Sequence, residues 1–308
     1  GENPHFSGLV RYDPDGVMLG SATLQSTQGS GNGFTMDGAG NLYVGEVYGS
    51  LQSGTMRLTI YNPELGILAS VLHSSWPNSM AVADGYLYVF SSAHGTSRPS
   101  YIHRSKQPYD ISAWELLEKT NFSYTQPWYL PQAKRFLFLH TLYKNGQRTL
   151  NWKSSADAKE WTKPQLIAHI EMGDYQISFR QGDTDRVATA FDLHPAHGRP
   201  GSGLNYRTNI YYLETCDGGT TWTSAEGKPV ALPLTRAENP ALVRDYRAEN
   251  LNVYLKDIAF TADGRPVLLY LTSKGFDPGP RSGPFQWHTA RWTGRAWDYR
   301  PFPTSDHN

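Results

Sequence analysis

Four residues able to transfer protons recur at one place in a repeated pattern. When the apolar segments that begin at Leu87, Phe136, Val187 and Val267 are aligned without gaps, their eighth positions hold His94, Tyr143, His194 and Lys274. Imidazole, phenol and ammonium groups gathered around one pocket would act as general acids and bases. The alternative is that polar residues simply end strands. Three arginines fall in a similar phase. Arg98, Arg148 and Arg207 precede Ser105, Ser155 and Thr215 by seven, seven and eight residues. Guanidinium groups on one rim suit a carboxylate or sulfate bound through two parallel hydrogen bonds. The one-residue offset matters, because a slip of one turns a side chain to the other face of its strand. Asn78, Gln126, Tyr175 and Lys256 complete the polar set at the starts of other predicted strands, with Tyr175 facing the pocket. Arg180 ends the Tyr175 strand at its far end. Trp76, Trp128 and Trp287 would stack on sugar rings or pack one sheet on the next.

Other chemistries find less support. His194-Pro195-Ala196-His197, with Asp192 nearby, has ligand-like spacing but no adjacent cysteine or second carboxylate pair, so no metal or other cofactor is assigned. The chain has no phosphate loop and no Gly-x-Ser-x-Gly. Its single cysteine, Cys216, excludes an internal disulfide framework.

The elements that must position these residues are strands. Helical periodicity is nearly absent, and short apolar runs bounded by Gly, Pro, Asn and Asp recur along the chain. The pattern predicts an all-β fold, a β-propeller of four-stranded antiparallel blades. The first strands are expected at 32–36, 78–83, 126–130, 175–180 and 254–260. The third strands are expected at 55–61, 99–105, 148–154, 208–215 and 286–292. That makes five nearly complete blades, with a hairpin around Asp13-Pro14-Asp15-Gly16 as half of another. The clearest turn is Thr215-Cys216-Asp217-Gly218-Gly219-Thr220-Thr221-Trp222, where the aspartate caps the loop and the glycines supply positive φ. Trp222 is expected to start the fourth strand. A looser copy is Ser155-Ala156-Asp157-Ala158-Lys159-Glu160-Trp161.

The whole length, 1–308, is read as one propeller domain, possibly without its last blades. Lys plus Arg and Asp plus Glu both number 28, which argues against nucleic-acid or membrane partners, and a monomer is expected. No leader-like run opens the sequence, so an export signal is expected to have been removed from a secreted or periplasmic bacterial protein.

The two turns resemble the Asp-box of the BNR (bacterial neuraminidase repeat) family, Ser/Thr-x-Asp-x-Gly-x-Thr-Trp. The stretches Arg207–Thr215, Val253–Ile258, Ala93-His94-Gly95 and Ser105–Trp114 resemble one branch of it, which usually has seven blades and acts on plant or algal polysaccharides. The resemblance implies ulvan lyase or α-L-rhamnosidase activity and a functional role for His94. The sialidase motif Phe/Tyr-Arg-Ile-Pro is missing, and Glu214 sits on the far side of the blade from the pocket.

An acidic, uronate-containing polysaccharide or oligosaccharide is therefore the expected partner, and β-elimination the leading reaction. Arg207 would neutralise the carboxylate, His94 or His194 would remove a proton, and Tyr175 or Tyr143 would protonate the leaving oxygen. Tyr143, Arg98, Arg148, Lys256, Lys274, Asn78 and Gln126 would bind substrate. The alternatives are a hydrolase releasing a terminal sugar, with Asp192 and Asp257 as its carboxylates, and a propeller that binds glycans without catalysis.

Overall fold

The computed structural model describes residues 8–24, 31–47, 56–73, 78–92, 95–96, 99–196, 205–277 and 281–305. A hairpin opens the chain, Gly8–Tyr12 (β1) against Met18–Thr23 (β2). Five four-stranded sheets follow. The first runs Gly31–Met36 (β3), Leu42–Val47 (β4), Met56–Tyr61 (β5) and Ile67–His73 (β6). Ser79–Ala83 (β7), Tyr86–Ser91 (β8), Ser100–Gln107 (β9) and Asp110–Thr120 (β10) form the next. Then come Ser123–Leu130 (β11), Arg135–Lys144 (β12), Gln147–Ser155 (β13) and Gln165–Ala168 (β14). The fourth contains Asp174–Arg180 (β15), Val187–Leu193 (β16), Thr208–Thr215 (β17) and Leu242–Arg244 (β18). Asn252–Phe260 (β19), Pro266–Ser273 (β20), Phe285–Trp292 (β21) and Trp297–Ser305 (β22) make the last. In every sheet, strands adjacent in sequence are adjacent in space, the meander of a propeller blade. The predicted first and third strands all form, within a few residues at their ends.

The chain divides into two compact units, Gly1–Tyr129 and Leu130–Asn308. The first is centred on Tyr43, Leu58, Ile60, Met80, Leu87, Val89 and Ile111, the inward-facing positions of alternating strands. A principal core of the second comprises Ala188, Ala190, Ile210, Tyr212, Val253, Ile258, Leu268, Tyr270 and Ala290. Every residue of β16 and β17 is buried, so these two strands are covered on both faces. No described helix is long and apolar enough to cross a membrane.

The 215–222 turn closes on itself. Thr215 Oγ1 donates to Asp217 Oδ1 (2.8 Å), and the carboxylate accepts from Thr221 N–H (2.9 Å) and Thr221 Oγ1 (2.7 Å). Gly219 has φ 95°, and a Cβ there would lie 2.8 Å from the Trp152 ring, so glycine is required on both counts. The looser copy repeats the wiring. Asp157 Oδ1 accepts from Lys159 N–H (2.8 Å) and Glu160 N–H (3.0 Å), while buried Ala158 takes the left-handed conformation at φ 59°. One expectation fails here. Trp222 is buried but does not start the fourth strand. Its neighbour Thr223 makes isolated bridges to Glu214 and Pro229, and β18 begins only at Leu242. The hairpin spends its exit on capping the turn, and the sheet edge is paired later in the chain.

Candidate functional site

In the second unit, one face of β15–β16–β17 carries Tyr175, Asp192, His194 and Arg207. Tyr175 and Asp192 are direct partners in the β15–β16 ladder, which puts their side chains on the same face. Two residues on, His194 meets Tyr175 edge-to-face with ring centroids 4.8 Å apart. The carbonyl of Gly173 accepts from His194 N–H at 2.9 Å and lies 3.3 Å from its Nδ1, which fixes the imidazole.

Arg207 comes to the same ring through a bulge. Phe191 pairs with Tyr211 and Leu193 with Thr208, so β17 holds one more residue than β16 over this interval. Asn209 takes φ 60° there. Its side-chain oxygen accepts from Arg247 N–H at 2.9 Å, and its amide donates to the Tyr211 hydroxyl at 3.3 Å, so the bulge is pinned. The eight-residue count from Arg207 to Thr215 thus contains the extra residue, while β12–β13 keeps continuous register. Both arginines end on one ring. The guanidinium carbon of Arg148 lies 4.6 Å, and that of Arg207 4.3 Å, from the Tyr175 centroid.

Neighbouring sheets supply the flanks. Tyr143 is the ladder partner of Arg148, 5.6 Å from its guanidinium. Tyr254 on β19 lies 5.7 Å from that of Arg207, and its hydroxyl donates to Asn205 O at 3.2 Å. Gly173, with φ 108°, lies so close over β13 that a Cβ would sit 2.4 Å from the Arg148 carbonyl oxygen. Glu171 ties the surrounding loops together, accepting from Ala196 N–H at 2.6 Å and Arg247 Nη1 at 2.9 Å.

The electrostatics are those of a buried anion among cations. Asp192 is 1% exposed and accepts from Tyr175 N–H at 3.3 Å. Burial pushes its carboxyl up to about 7, while Arg207, the Tyr175 N–H and Arg148 pull the other way. Asp174, also fully buried, is raised well above the usual carboxylate range, chiefly by burial and further by Asp192 and Glu171. Lys256 is lowered by desolvation and then by the charge of Arg207, although its side chain reaches solvent. The surface therefore offers Arg207 and Lys256 to an anionic group, while Arg148, 4% exposed, adds its charge from within.

Of the sequence-predicted residues, Tyr143, Arg148, Tyr175, His194, Arg207 and Lys256 come together here. Lys274 is exposed one residue beyond β20, with no hydrogen bond or ring contact to the cluster among the described residues. Asn78 and Gln126 belong to the first unit. Asn78 is exposed, and its side-chain oxygen accepts from Ser92 N–H at 2.6 Å; Gln126 is half-buried on β11. His94, Arg98, His197 and Trp76 lie outside the described residues. Arg180 pairs with Asp183 at 3.6 Å, away from the cluster at the other end of β15. Asp257 is exposed and caps Ile258 N–H at 2.8 Å, whereas Asp192 is buried across the ladder from Tyr175. Glu214 is engaged by Arg186 at 2.6 Å and by Tyr212. Among the described residues, no three His, Cys, Asp or Glu side chains group as a metal site.

Sequence reasoning passed over Tyr254, Asp174 and Gly173 as parts of the site. Gly173 had a visible signal, a glycine just before a predicted strand, but its purpose needs the packing of β13. His140 was also passed over. It is buried, stacked on Phe138 at 4.8 Å, and lowered to about 3 by burial and by Lys153, which makes it a neutral core residue.

Residues 77–305 match the model of a family described as BNR repeat-containing family member. An ulvan lyase of Pseudoalteromonas sp. (strain PLSV) is 25% identical over 253 residues, covering 72% of this chain and 50% of that protein. An ulvan lyase of Nonlabens ulvanivorans is 25% identical over 243 residues, covering 69% and 50%. The chain thus spans about half the length of the curated relatives it matches. Among solved structures, an ulvan lyase bound to a glucuronate–sulfated rhamnose fragment aligns with a TM-score of 0.68 at 19% identity, over 86% of this chain and 69% of the other. This likeness shows the fold, an all-β propeller of four-stranded antiparallel blades.

Proposed function

The chain belongs to the BNR repeat-containing family, and from that premise we propose that it is a polysaccharide lyase cleaving an acidic, uronate-containing polysaccharide by β-elimination. The observation that carries this reading is the approach of the guanidinium groups of both Arg148 and Arg207 to the Tyr175 ring, with His194 packed edge-to-face against it. Elimination needs the uronate carboxylate neutralised, so that the proton on the adjacent C5 becomes acidic. Arg207 takes that role, with Arg148 beside it and Lys256 on the rim. A base then removes the C5 proton, the C4–C5 double bond forms, the C4–oxygen bond breaks, and the leaving oxygen receives a proton.

Tyr175 is assigned the exchange of a proton with substrate. His194 is nearly fully buried against it, which suits a partner that orients the phenol more than one that reaches the sugar. His94 is assigned as a second proton-transferring group on sequence grounds. Tyr143, Tyr254 and Lys256 line the approach, and Arg98, Lys274, Asn78 and Gln126 remain proposed contacts for further sugar units. The relatives' names make ulvan the first substrate to try. A polymeric substrate of this kind places the enzyme outside the cytoplasm, and the turns at 155–161 and 215–222 are assigned as Asp-boxes.

Incubation with ulvan, other uronate polysaccharides and gum arabic tests the reading. A conjugated, ultraviolet-absorbing unsaturated uronate is the expected product. Released rhamnose without that absorbance would instead mean hydrolysis, and binding with no product at all would mean a non-catalytic glycan-binding propeller.

A further inference from the structure

Two guanidinium groups seated on one ring repel each other, and that repulsion grows as the surroundings become drier. Something must hold Arg148 at 4.6 Å and Arg207 at 4.3 Å from the Tyr175 centroid. The side chain directly across the β15–β16 ladder from Tyr175 is Asp192. It is 1% exposed, takes the Tyr175 N–H at 3.3 Å, and feels the charges of both arginines. We propose that Asp192 is a positioning residue of this site, the counter-charge that keeps both guanidinium groups on the Tyr175 ring and so holds the phenol hydroxyl where substrate must meet it.

The geometry gives Asp192 no direct part in the chemistry, because its side chain is closed off from solvent. Its effect runs through three partners: the Tyr175 backbone on β15, Arg207 just ahead of β17, and Arg148 on β13. Among the described residues, the other titratable groups of the cluster include Asp174 beside Tyr175, Glu171 in the preceding turn, His194 after β16, Tyr143 opposite Arg148, and Lys256 on β19. With Asp192 ionised, its charge offsets part of the positive charge of the two guanidinium groups. With Asp192 neutral, that counter-charge is lost. Since its carboxyl sits at about 7, acidifying through neutral pH should loosen the arrangement.

The kinetic part of the test rests on the lyase reading; the structural part does not. Asp192→Asn keeps the shape and the capacity to accept the Tyr175 N–H, and removes the charge. A crystal structure of Asp192→Asn is expected to show at least one guanidinium displaced from the Tyr175 ring. In the lyase assay on ulvan, kcat should fall by about 10- to 100-fold, the scale of a misplaced reacting group, while KM changes less than about threefold. The acid limb of wild-type kcat near pH 7 should be absent from Asp192→Asn and kept by Asp192→Glu, which restores the charge. Both guanidinium groups unmoved in Asp192→Asn, or an unchanged acid limb, would overturn the proposal. If the Asn variant does not fold, the Glu variant decides: loss of the acid limb in a folded Asp192→Glu rejects it, and retention upholds it. A wild-type protein giving no unsaturated product sinks the lyase reading alone, and the displacement of the arginines still decides the role of Asp192.

Discussion

Replacing Gly173 by alanine tests how the site is held, independently of what it does. Gly173 has φ 108°, a conformation that costs an L-residue about 1–3 kcal/mol. The added Cβ would stand 2.4 Å from the carbonyl oxygen, 2.7 Å from Cβ and 2.8 Å from the amide nitrogen of Arg148. Two of these are backbone atoms of β13, so relief requires the strand or the 170–173 turn to move. Overpacking of this kind adds about 1–3 kcal/mol. The sum, about 2–6 kcal/mol, corresponds to a melting temperature lowered by roughly 4–24 °C for a unit of this size. Any movement that relieves the clash also shifts Arg148 from Tyr175, and the Gly173 carbonyl from His194. Activity at a temperature where the variant remains folded should therefore fall as well. Scanning calorimetry and the initial rate on ulvan measure the two effects. A melting temperature within about 2 °C of wild type, with unchanged rate, would refute the view that close approach at Gly173 sets the site.

Tyr175→Phe keeps the ring for both arginines and removes only the hydroxyl. Its kcat on uronate polysaccharide should drop by about 100-fold or more with little change in melting temperature, and near-normal turnover would exclude Tyr175 from proton transfer. Arg207→Lys retains charge but not the planar fork; kcat/KM should fall by about tenfold to a hundredfold, the worth of one charge-assisted contact, and Arg207→Ala should fall further. Wild-type-like kcat/KM in the lysine variant would argue against bidentate carboxylate binding. In the first unit, His103 packs edge-on to His73 at 5.0 Å and is lowered to about 4, by burial first and by His73 second. A group lowered on folding contributes stability that is complete above its unfolded value near 6.5 and is lost as pH falls towards 4. Thermal melts of wild type and His103→Gln across this range should converge at acid pH, and parallel curves would contradict the assignment.

The strand order was legible in the sequence because turn chemistry and apolar runs repeat together, and strand spans such as 208–215 follow directly from that repetition. The convergence of Tyr175, Arg148, Arg207 and His194 was also legible, since residues at equivalent ends of successive strands share a rim. Its limits are local. The fate of the chain after Trp222 depended on which segment pairs with β17, a tertiary choice that a turn motif does not encode. The role of Gly173 depends on the backbone of Arg148, in another strand, passing close to it, and that of Asp192 on a charge balance with Arg207 and Arg148. His140, which sequence reasoning did not single out, is marked as a core residue by its burial against Phe138.

The bulge at Asn209 works as a phase adjuster. A strand has a two-residue repeat, so the side on which Arg207 emerges is a question of parity, and one inserted residue reverses it. By absorbing that residue in a left-handed turn tied to Arg247 and Tyr211, the fold separates the spacing between turn and rim from the direction in which the rim side chain points. Two blades with different residue counts can then serve one pocket. Matching rim residues between such blades by counting from their turns must allow for this half-period, or it will assign the right residue type to the wrong face.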